Sequence, residues 1–325
     1  MNRAKQIILA LSVCGTAAFV VSVAWLVEPD PVYGGKKLSD WAERYRMSFC
    51  PVDGNPDGNP PEDSAVRREA VQAALHLRAK ILPRALKLIV YEKPDWCGRM
   101  ERVLEGVNVR RWCPTCLWSP FYGDKGEDCL VYFEMLGPEA RTAVPELVRI
   151  MKQARSLRIR ERAMYALGCT GKEGLPSLME VLADPENPDR RRAAFAIGDM
   201  KNQGTVASPA VPLIVNRLKD ADSDVSSAAV IVLGDLALEP DVAVPALTNC
   251  LQSTNDYFRE EALAALGKFG NNADSAVPLL MNMLDDPDVH LRGLVRDALL
   301  EIAPDELRKE EQVKISRRNF LHHEN

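Results

Sequence analysis

Cysteine is the residue type with the most reactive chemistry in this 325-residue sequence. Five of the eight cysteines lie between positions 50 and 129, in segments that contain glycine, proline and tryptophan. Two of the five form a C-x-x-C motif, a spacing that suits both metal ligands and redox-active thiols. The five residues are Cys50, Cys97, Cys113, Cys116 and Cys129.

Three kinds of site are consistent with these cysteines. Structural disulfides need an oxidising compartment, and five cysteines would leave one without a partner. A tetrahedral zinc site needs four ligands, and the second C-x-x-C that usually completes it is missing. A redox-active pair needs a helix start in a thioredoxin-like frame, which the sequence does not show. The pattern favours disulfides of undetermined pairing, and the zinc set would be Cys97, Cys113, Cys116 and Cys129.

Motifs of other catalytic chemistry are missing from the sequence. It contains no H-E-x-x-H, no G-x-S-x-G and no complete phosphate-binding loop, and it has only four histidines. We therefore predict a protein that is not an enzyme and has no cofactor, no metal and no small-molecule substrate. The alternative is a thiol/disulfide or zinc-dependent activity centred on Cys113 and Cys116.

The second half of the sequence repeats a pattern of glycine and proline. A Leu-Gly or Ile-Gly pair recurs every 30 to 36 residues, and a proline follows each pair. Proline is tolerated in the first turn of a helix, so the pattern predicts two-helix units whose second helix opens with proline. Residues 65–91 fit the same template, with His76 and Pro83 at the two positions. The glycines are Gly137, Gly168, Gly198, Gly234 and Gly267, and the prolines are Pro145, Pro176, Pro212, Pro245 and Pro278.

These units resemble the HEAT family, in its short bacterial form similar to phycobilisome-lyase-type repeats. The resemblance covers residues 130–304 well and residues 65–91 loosely, and it implies an all-α, right-handed α-solenoid that serves as a scaffold. HEAT repeats also tend to keep an Asp and an Arg six residues apart, forming a ladder between units. Asp184 with Arg190, and Asp286 with Arg292, match that spacing.

One column of residues on the second helices is a candidate binding surface. The fourth residue after each helix-opening proline is Arg149, Glu180, Asn216, Asn249 or Asn282. Stacked helices lie ~8–10 Å apart, close to the length of three extended residues. An asparagine amide can pair with any peptide backbone, as armadillo arrays of similar architecture do, so the column predicts a peptide groove. Alternatively, the asparagines bond the next repeat or face water.

The N-terminal sequence predicts a membrane anchor. Residues 7–27 form an uncharged apolar run, and about 20 helical residues span a bilayer core. Arg3 and Lys5 before the run, and Glu28 and Asp30 after it, place the N-terminus in the cytoplasm and the repeats outside. The alternative is a cleaved signal peptide, which would leave a secreted or periplasmic protein.

Composition supports a helical protein that does not bind nucleic acid. Aromatic residues are 6% of the chain, and the net charge is −5. The sequence thus predicts a non-enzymatic extracytoplasmic scaffold whose partner is an unidentified protein or peptide. Its predicted segments are the cytoplasmic N-terminus (1–6), the anchor or signal sequence (7–27), a short helix and Gly/Pro/Asn linker (28–64), a degenerate first repeat (65–91), the Cys/Trp-bearing insert (92–129), the repeat array (130–304) and a charged tail (305–325).

Overall fold

Helices form most of the chain in the computed structural model, which describes residues 30–48, 63–92 and 125–323. The predicted anchor at 7–27 lies outside these ranges. Within them, every helix is too short or too polar to cross a membrane. The chain divides into two compact units, residues 1–166 and residues 167–325. The predicted helical class is confirmed, and the superhelical sense stays a prediction.

The first unit begins with a short hairpin that the all-α prediction did not include. Strands β1 (Val32–Tyr33) and β2 (Lys36–Lys37) pair antiparallel. Gly34 and Gly35 turn the chain between them at φ angles of 57° and 78°, which glycine adopts without strain. Helix α1 (Leu38–Met47) follows directly. The indole Nε1 of Trp41 donates to the Tyr33 carbonyl at 3.1 Å, which ties the hairpin to α1.

Helix α2 (Asp63–Ile89) overturns the predicted first repeat. Residues 65–91 were expected to form two helices separated near His76, but one 27-residue helix runs through Pro83. Pro83 is exposed, and an internal proline removes only one backbone hydrogen bond. The buried stripe continues on both sides of it, so packing against α1 and the next helix keeps α2 intact. The stripe comprises Ala70, Ala73, Ala74, Leu77, Ile81, Ala85 and Ile89.

Three further helices complete the first unit and reach its boundary. They are α3 (Lys125–Leu136), α4 (Val144–Gln153) and α5 (Leu157–Cys169), which crosses from residue 166 into the second unit. A 3-10 segment, Gly137–Ala143, joins α3 to α4. Buried Arg162 donates from Nη1 to the carbonyls of Ile89 and Tyr91, at 3.4 and 2.8 Å. This arginine therefore satisfies carbonyls at the end of α2.

The second unit alternates first and second helices, as the repeat predicted. The first helices are α7 (Arg190–Gly198), α9 (Ser223–Leu236), α11 (Asp256–Lys268) and α13 (Val289–Ile302). The second helices are α6 (Leu175–Ala183), α8 (Val211–Arg217), α10 (Pro240–Cys250) and α12 (Val277–Met283). The 3-10 segments Gly171–Glu173, Asp199–Ala210 and Gly270–Ala276 precede α6, α8 and α12.

Helix-opening prolines are confirmed in α4, α6, α8 and α12, where Pro145, Pro176, Pro212 and Pro278 stand in the first turn. Pro245 was predicted to open a helix in the same way, and that prediction is wrong. Helix α10 begins five residues earlier, at Pro240, because the left-handed backbone of Glu239 (φ 50°) starts a new helix there. Pro245 therefore lies inside α10.

Three of the repeated glycines form close contacts between successive first helices. A Cβ built on Gly234 would lie 2.7 Å from Cα of Ala265, and one on Gly168 would lie 2.6 Å from the Ala196 carbonyl oxygen. At Gly198 the nearest atom, of Val232, would be 3.1 Å away. Helices α9 and α11 continue past their repeated glycines. We call Gly168, Gly198 and Gly234 the glycine seam.

The predicted charged tail folds as helix α14 (Pro304–His323). Its first turns pack on α13, where Leu307 is 2% exposed and Arg296 pairs with Glu311. Leu300 stands 33 residues after Gly267, at the position of the repeated glycine, and it is 48% exposed. A leucine side chain fits at this position because, within the described part of the chain, no first helix of a following repeat packs against it.

Candidate functional site

The predicted asparagine column lies on three successive second helices of the second unit. Asn216 is on α8, Asn249 on α10 and Asn282 on α12, and all three are exposed. Their side-chain amides make no hydrogen bond to any described residue, which argues against a role in bonding the next repeat. Each amide therefore has its donors and acceptor turned to solvent.

The two charged members of the predicted column differ from the asparagines. Arg149 belongs to α4 in the first unit, where its Nε donates to Glu146 Oε2 at 2.8 Å and its Nη1 to Gln153 at 3.0 Å. The hydrogen bond from Arg149 lowers the pKa of Glu146. Glu180 is exposed on α6, which packs against α8. The structure therefore places four of the five residues on successive second helices of the second unit.

Exposed prolines accompany the asparagines. The sequence pattern predicts only that these prolines open helices. Pro212, Pro245 and Pro278 each precede an asparagine by four residues, so the two side chains lie one turn apart on the same helix face. We call Pro212, Asn216, Pro245, Asn249, Pro278 and Asn282 the proline–asparagine strip. The half-buried side chains between its members are uncharged: Leu213, Val215, Ala246, Thr248, Leu279 and Met281.

Within one turn, the aspartate and the arginine six residues later do not bond through their side chains. The Nη1 of Arg292 donates to the backbone carbonyl of Asp286 at 2.6 Å, and Arg190 donates to the Asn187 carbonyl at 2.7 Å. The aspartate side chains instead accept backbone amides two residues later, Asp184 from Glu186 and Asp286 from Asp288. Each of these aspartates thereby closes a tight turn, and the arginine six residues later donates to carbonyls of that turn. Arg160 and Arg259 make the same carbonyl contacts without an aspartate.

One buried ion pair does connect two successive repeats. Arg190 donates to both carboxylate oxygens of Asp220, at 2.9 and 3.2 Å, and Arg217 adds a bond of 3.1 Å. The Asp220 side chain is 4% exposed. Burial opposes its ionisation, but hydrogen bonds from Arg190, the Asp222 amide and Arg217 outweigh that effect and lower the pKa of Asp220. Ser226 stands where other repeats have the arginine.

The structure describes only one of the five cysteines that were predicted to form a disulfide or zinc site. Cys129 is buried in α3, whereas Cys50, Cys97, Cys113 and Cys116 lie outside the described residues, so disulfide and zinc both stay predictions. Cys250 is buried in α10, where burial raises the pKa of its thiol to about 11. It is therefore protonated at neutral pH and a poor nucleophile. Residues 30–48, 63–92 and 125–323 contain no group of three or more potential metal ligands.

Comparison with known proteins gives the family that the repeats resemble. The family model described as HEAT repeats matches residues 175–258 and 211–300. This match supports the predicted HEAT-repeat family, and the proline–asparagine strip lies on the second helices of the matched segment. No curated protein matches the sequence.

Several solved structures are similar to the chain. The phycocyanin lyase complex of CpcE and CpcF from Nostoc sp. PCC7120 is 26% identical over 55% of this chain and 70% of that chain, with a TM-score of 0.40. A computationally designed armadillo repeat protein for modular peptide recognition is 17% identical over 57% and 95%, with a TM-score of 0.37. Kap121p bound to Nup53p is 16% identical, with a TM-score of 0.48, over 86% of this chain but 31% of that chain.

Proposed function

We propose that this protein is a non-enzymatic scaffold that binds a protein partner through the proline–asparagine strip of its HEAT repeats. The observation that carries the proposal is that the side chains of Asn216, Asn249 and Asn282 are exposed and have no hydrogen-bond partner among the described residues. They recur every 33 residues. A bound partner would explain why these asparagines recur although their side chains make no hydrogen bond within the described fold.

The chemistry of the strip suits a peptide segment of a partner. Each amide can donate to a carbonyl and accept from an N–H, so it recognises backbone independently of sequence. Half-buried Leu213, Val215 and Met281 add apolar surface that a ligand would cover. Stacked two-helix repeats present such positions as one extended binding surface.

The finer part of the proposal concerns location: the repeats lie outside the cytoplasm, tethered by residues 7–27. Its support is the uncharged apolar run with Arg3 and Lys5 before it and Glu28 after it. Alkaline phosphatase fused after Asn325 should be active, because that enzyme requires export. N-terminal sequencing of the purified protein should begin at Met1 if the run is an anchor, whereas an inactive fusion would contradict export.

Photo-crosslinking tests the binding surface. Benzoylphenylalanine placed at Gln252, an exposed residue just after α10, should crosslink a partner from membranes of the source organism. The matched control is Ala264, which is exposed on first helix α11. We expect a discrete crosslinked protein from position 252 and none from position 264. Equal crosslinking from both positions, or from neither, would contradict binding at the strip.

A further inference from the structure

Two carboxylates border the proline–asparagine strip on one side. Asp241 and Asp274 each stand four residues before a strip proline, Pro245 and Pro278, and they share the repeat spacing of 33 residues. Both are exposed, and their side chains make no hydrogen bond or ion pair with any described residue. The described fold therefore leaves two negative charges uncompensated beside the surface that we propose to bind a partner.

The two carboxylates belong to segments of the second unit that contact each other. Asp241 is in the first turn of α10, and Asp274 is on the 3-10 segment Gly270–Ala276, which packs against α10. Like charges on adjoining segments repel each other, and a bound cation compensates them. Val242, directly after Asp241, is 42% exposed. A lysine or arginine side chain suits both features, because its methylene groups cover apolar surface while its charged end meets a carboxylate.

The other side of the strip, where the second helices end, has a different charge. Lys219 is exposed just after α8. Burial raises the pKa of Cys250, and the charge of Lys219 acts in the opposite direction, which locates this lysine near the C-terminal end of α10. Asp285, after α12, already has an interaction within the chain. An acidic ligand side chain would therefore meet uncompensated carboxylates on one side of the strip, whereas a basic one would be attracted there.

The bordering carboxylates are limited to two of the three repeats of the strip. The residue four positions before Pro212 is Ser208, which is half-buried and uncharged. A partner segment that covers the strip thus meets a carboxylate at α10 and at the 3-10 segment before α12, but not at the start of α8. The charge pattern requires basic residues only in the part of the ligand that covers the last two repeats.

We propose that the strip binds a basic partner segment, in which two Lys or Arg side chains pair with Asp241 and Asp274 while its backbone bonds Asn249 and Asn282. This inference rests on the proposed function, since it names the chemistry of the segment that occupies the same surface. Exposed ion pairs contribute little affinity, so the two carboxylates act mainly by selecting basic segments over acidic ones.

Selection of random dodecapeptides displayed on phage, with the purified full chain as bait, tests this chemistry. We expect peptides enriched in Lys and Arg from the natural chain, and peptides enriched in Asp and Glu from D241K/D274K. The matched control D297K/E301K makes the same charge change at two exposed residues of first helix α13, and it should still select basic peptides. No selected peptide, no basic enrichment, or an unchanged preference in D241K/D274K would overturn the inference.

Fluorescence anisotropy with a selected basic peptide then locates its binding. D241N/D274N should weaken binding about tenfold, the effect of losing two exposed ion pairs. N216A/N249A/N282A should weaken it as well. Asn271 and Asn272 are exposed on the 3-10 segment before α12, away from the strip, and N271A/N272A should bind the peptide as the natural chain does.

The two proposals fail in different ways. Selected peptides that need the strip asparagines but show no basic preference would overturn the basic-segment inference and leave the proposed function standing. Peptides whose binding changes in neither D241N/D274N nor N216A/N249A/N282A would also overturn the inference. In that case the proposed function stands only if position 252 still crosslinks a partner.

Discussion

Two sets of residues in the second unit recur at repeat spacing, and the structure explains only one of them internally. The glycine seam is repeated because a Cβ at Gly234 would lie 2.7 Å from the backbone of the next first helix. The strip asparagines are repeated although their side chains are exposed and make no hydrogen bond to any described residue. Contacts within the fold therefore explain the repeated glycines, whereas the repeated asparagines are explained by the proposed binding of a partner.

The strongest test of the packing side of this comparison is the buried Arg190–Asp220 pair. Removing one partner of a buried ion pair leaves the other charge poorly compensated. We expect Arg190→Ala to lower the free energy of unfolding by about 3 kcal/mol in urea denaturation. Arg191→Ala is the matched control, because Arg191 is 51% exposed in its pair with Asp224, and it should cost less than about 0.5 kcal/mol. Equal losses in the two variants would contradict the account.

The glycine seam supplies the next largest effect. Gly234→Ala should destabilise the protein by about 2 kcal/mol, because its Cβ would meet the backbone and side chain of Ala265. Gly267→Ala is the matched control, since its nearest neighbour would be 3.8 Å away. That variant should be neutral or more stable by up to about 1 kcal/mol, through helix propensity. Thermal and urea unfolding would measure both variants, and a Gly267→Ala variant less stable than Gly234→Ala would contradict the role of the seam.

A smaller effect should follow from pH at Asp220. Because the pKa of Asp220 is lowered in the folded state, its carboxylate contributes full stability above the unfolded value of about 3.9. The contribution is lost as the pH falls through the folded pKa. The stability difference between the natural chain and Asp220→Asn should thus shrink by about 1 kcal/mol between pH 7 and pH 3. A difference independent of pH would show that the carboxylate charge has no role.

The strip should have the smallest effect on stability. Exposed residues without contacts change the free energy of unfolding by less than about 0.5 kcal/mol when replaced. We therefore expect each of Asn216→Ala, Asn249→Ala and Asn282→Ala to unfold at the same urea concentration as the natural chain. A loss of about 1 kcal/mol or more in any one of them would reveal an internal role and weaken the comparison.

Sequence reasoning predicted what depends on local rules. Proline in the first turn located the starts of α4, α6, α8 and α12, and counting four residues onward found the exposed face of Asn216. It was wrong where packing decides, since Pro83 and Pro245 lie inside helices held by buried neighbours. The Asp–Arg spacing indicated a ladder between units, but it did not reveal that Arg190 bonds Asp220 of the next repeat whereas Arg292 bonds a backbone carbonyl.

The central claim is that the strip asparagines serve a partner rather than the fold. Its most direct test is affinity capture with the triple variant N216A/N249A/N282A from crosslinked membranes, alongside N271A/N272A and urea unfolding of both. The account predicts that the triple variant unfolds like the natural chain but loses the partner that the control variant retains. Retention of the same partner by a folded triple variant would contradict it.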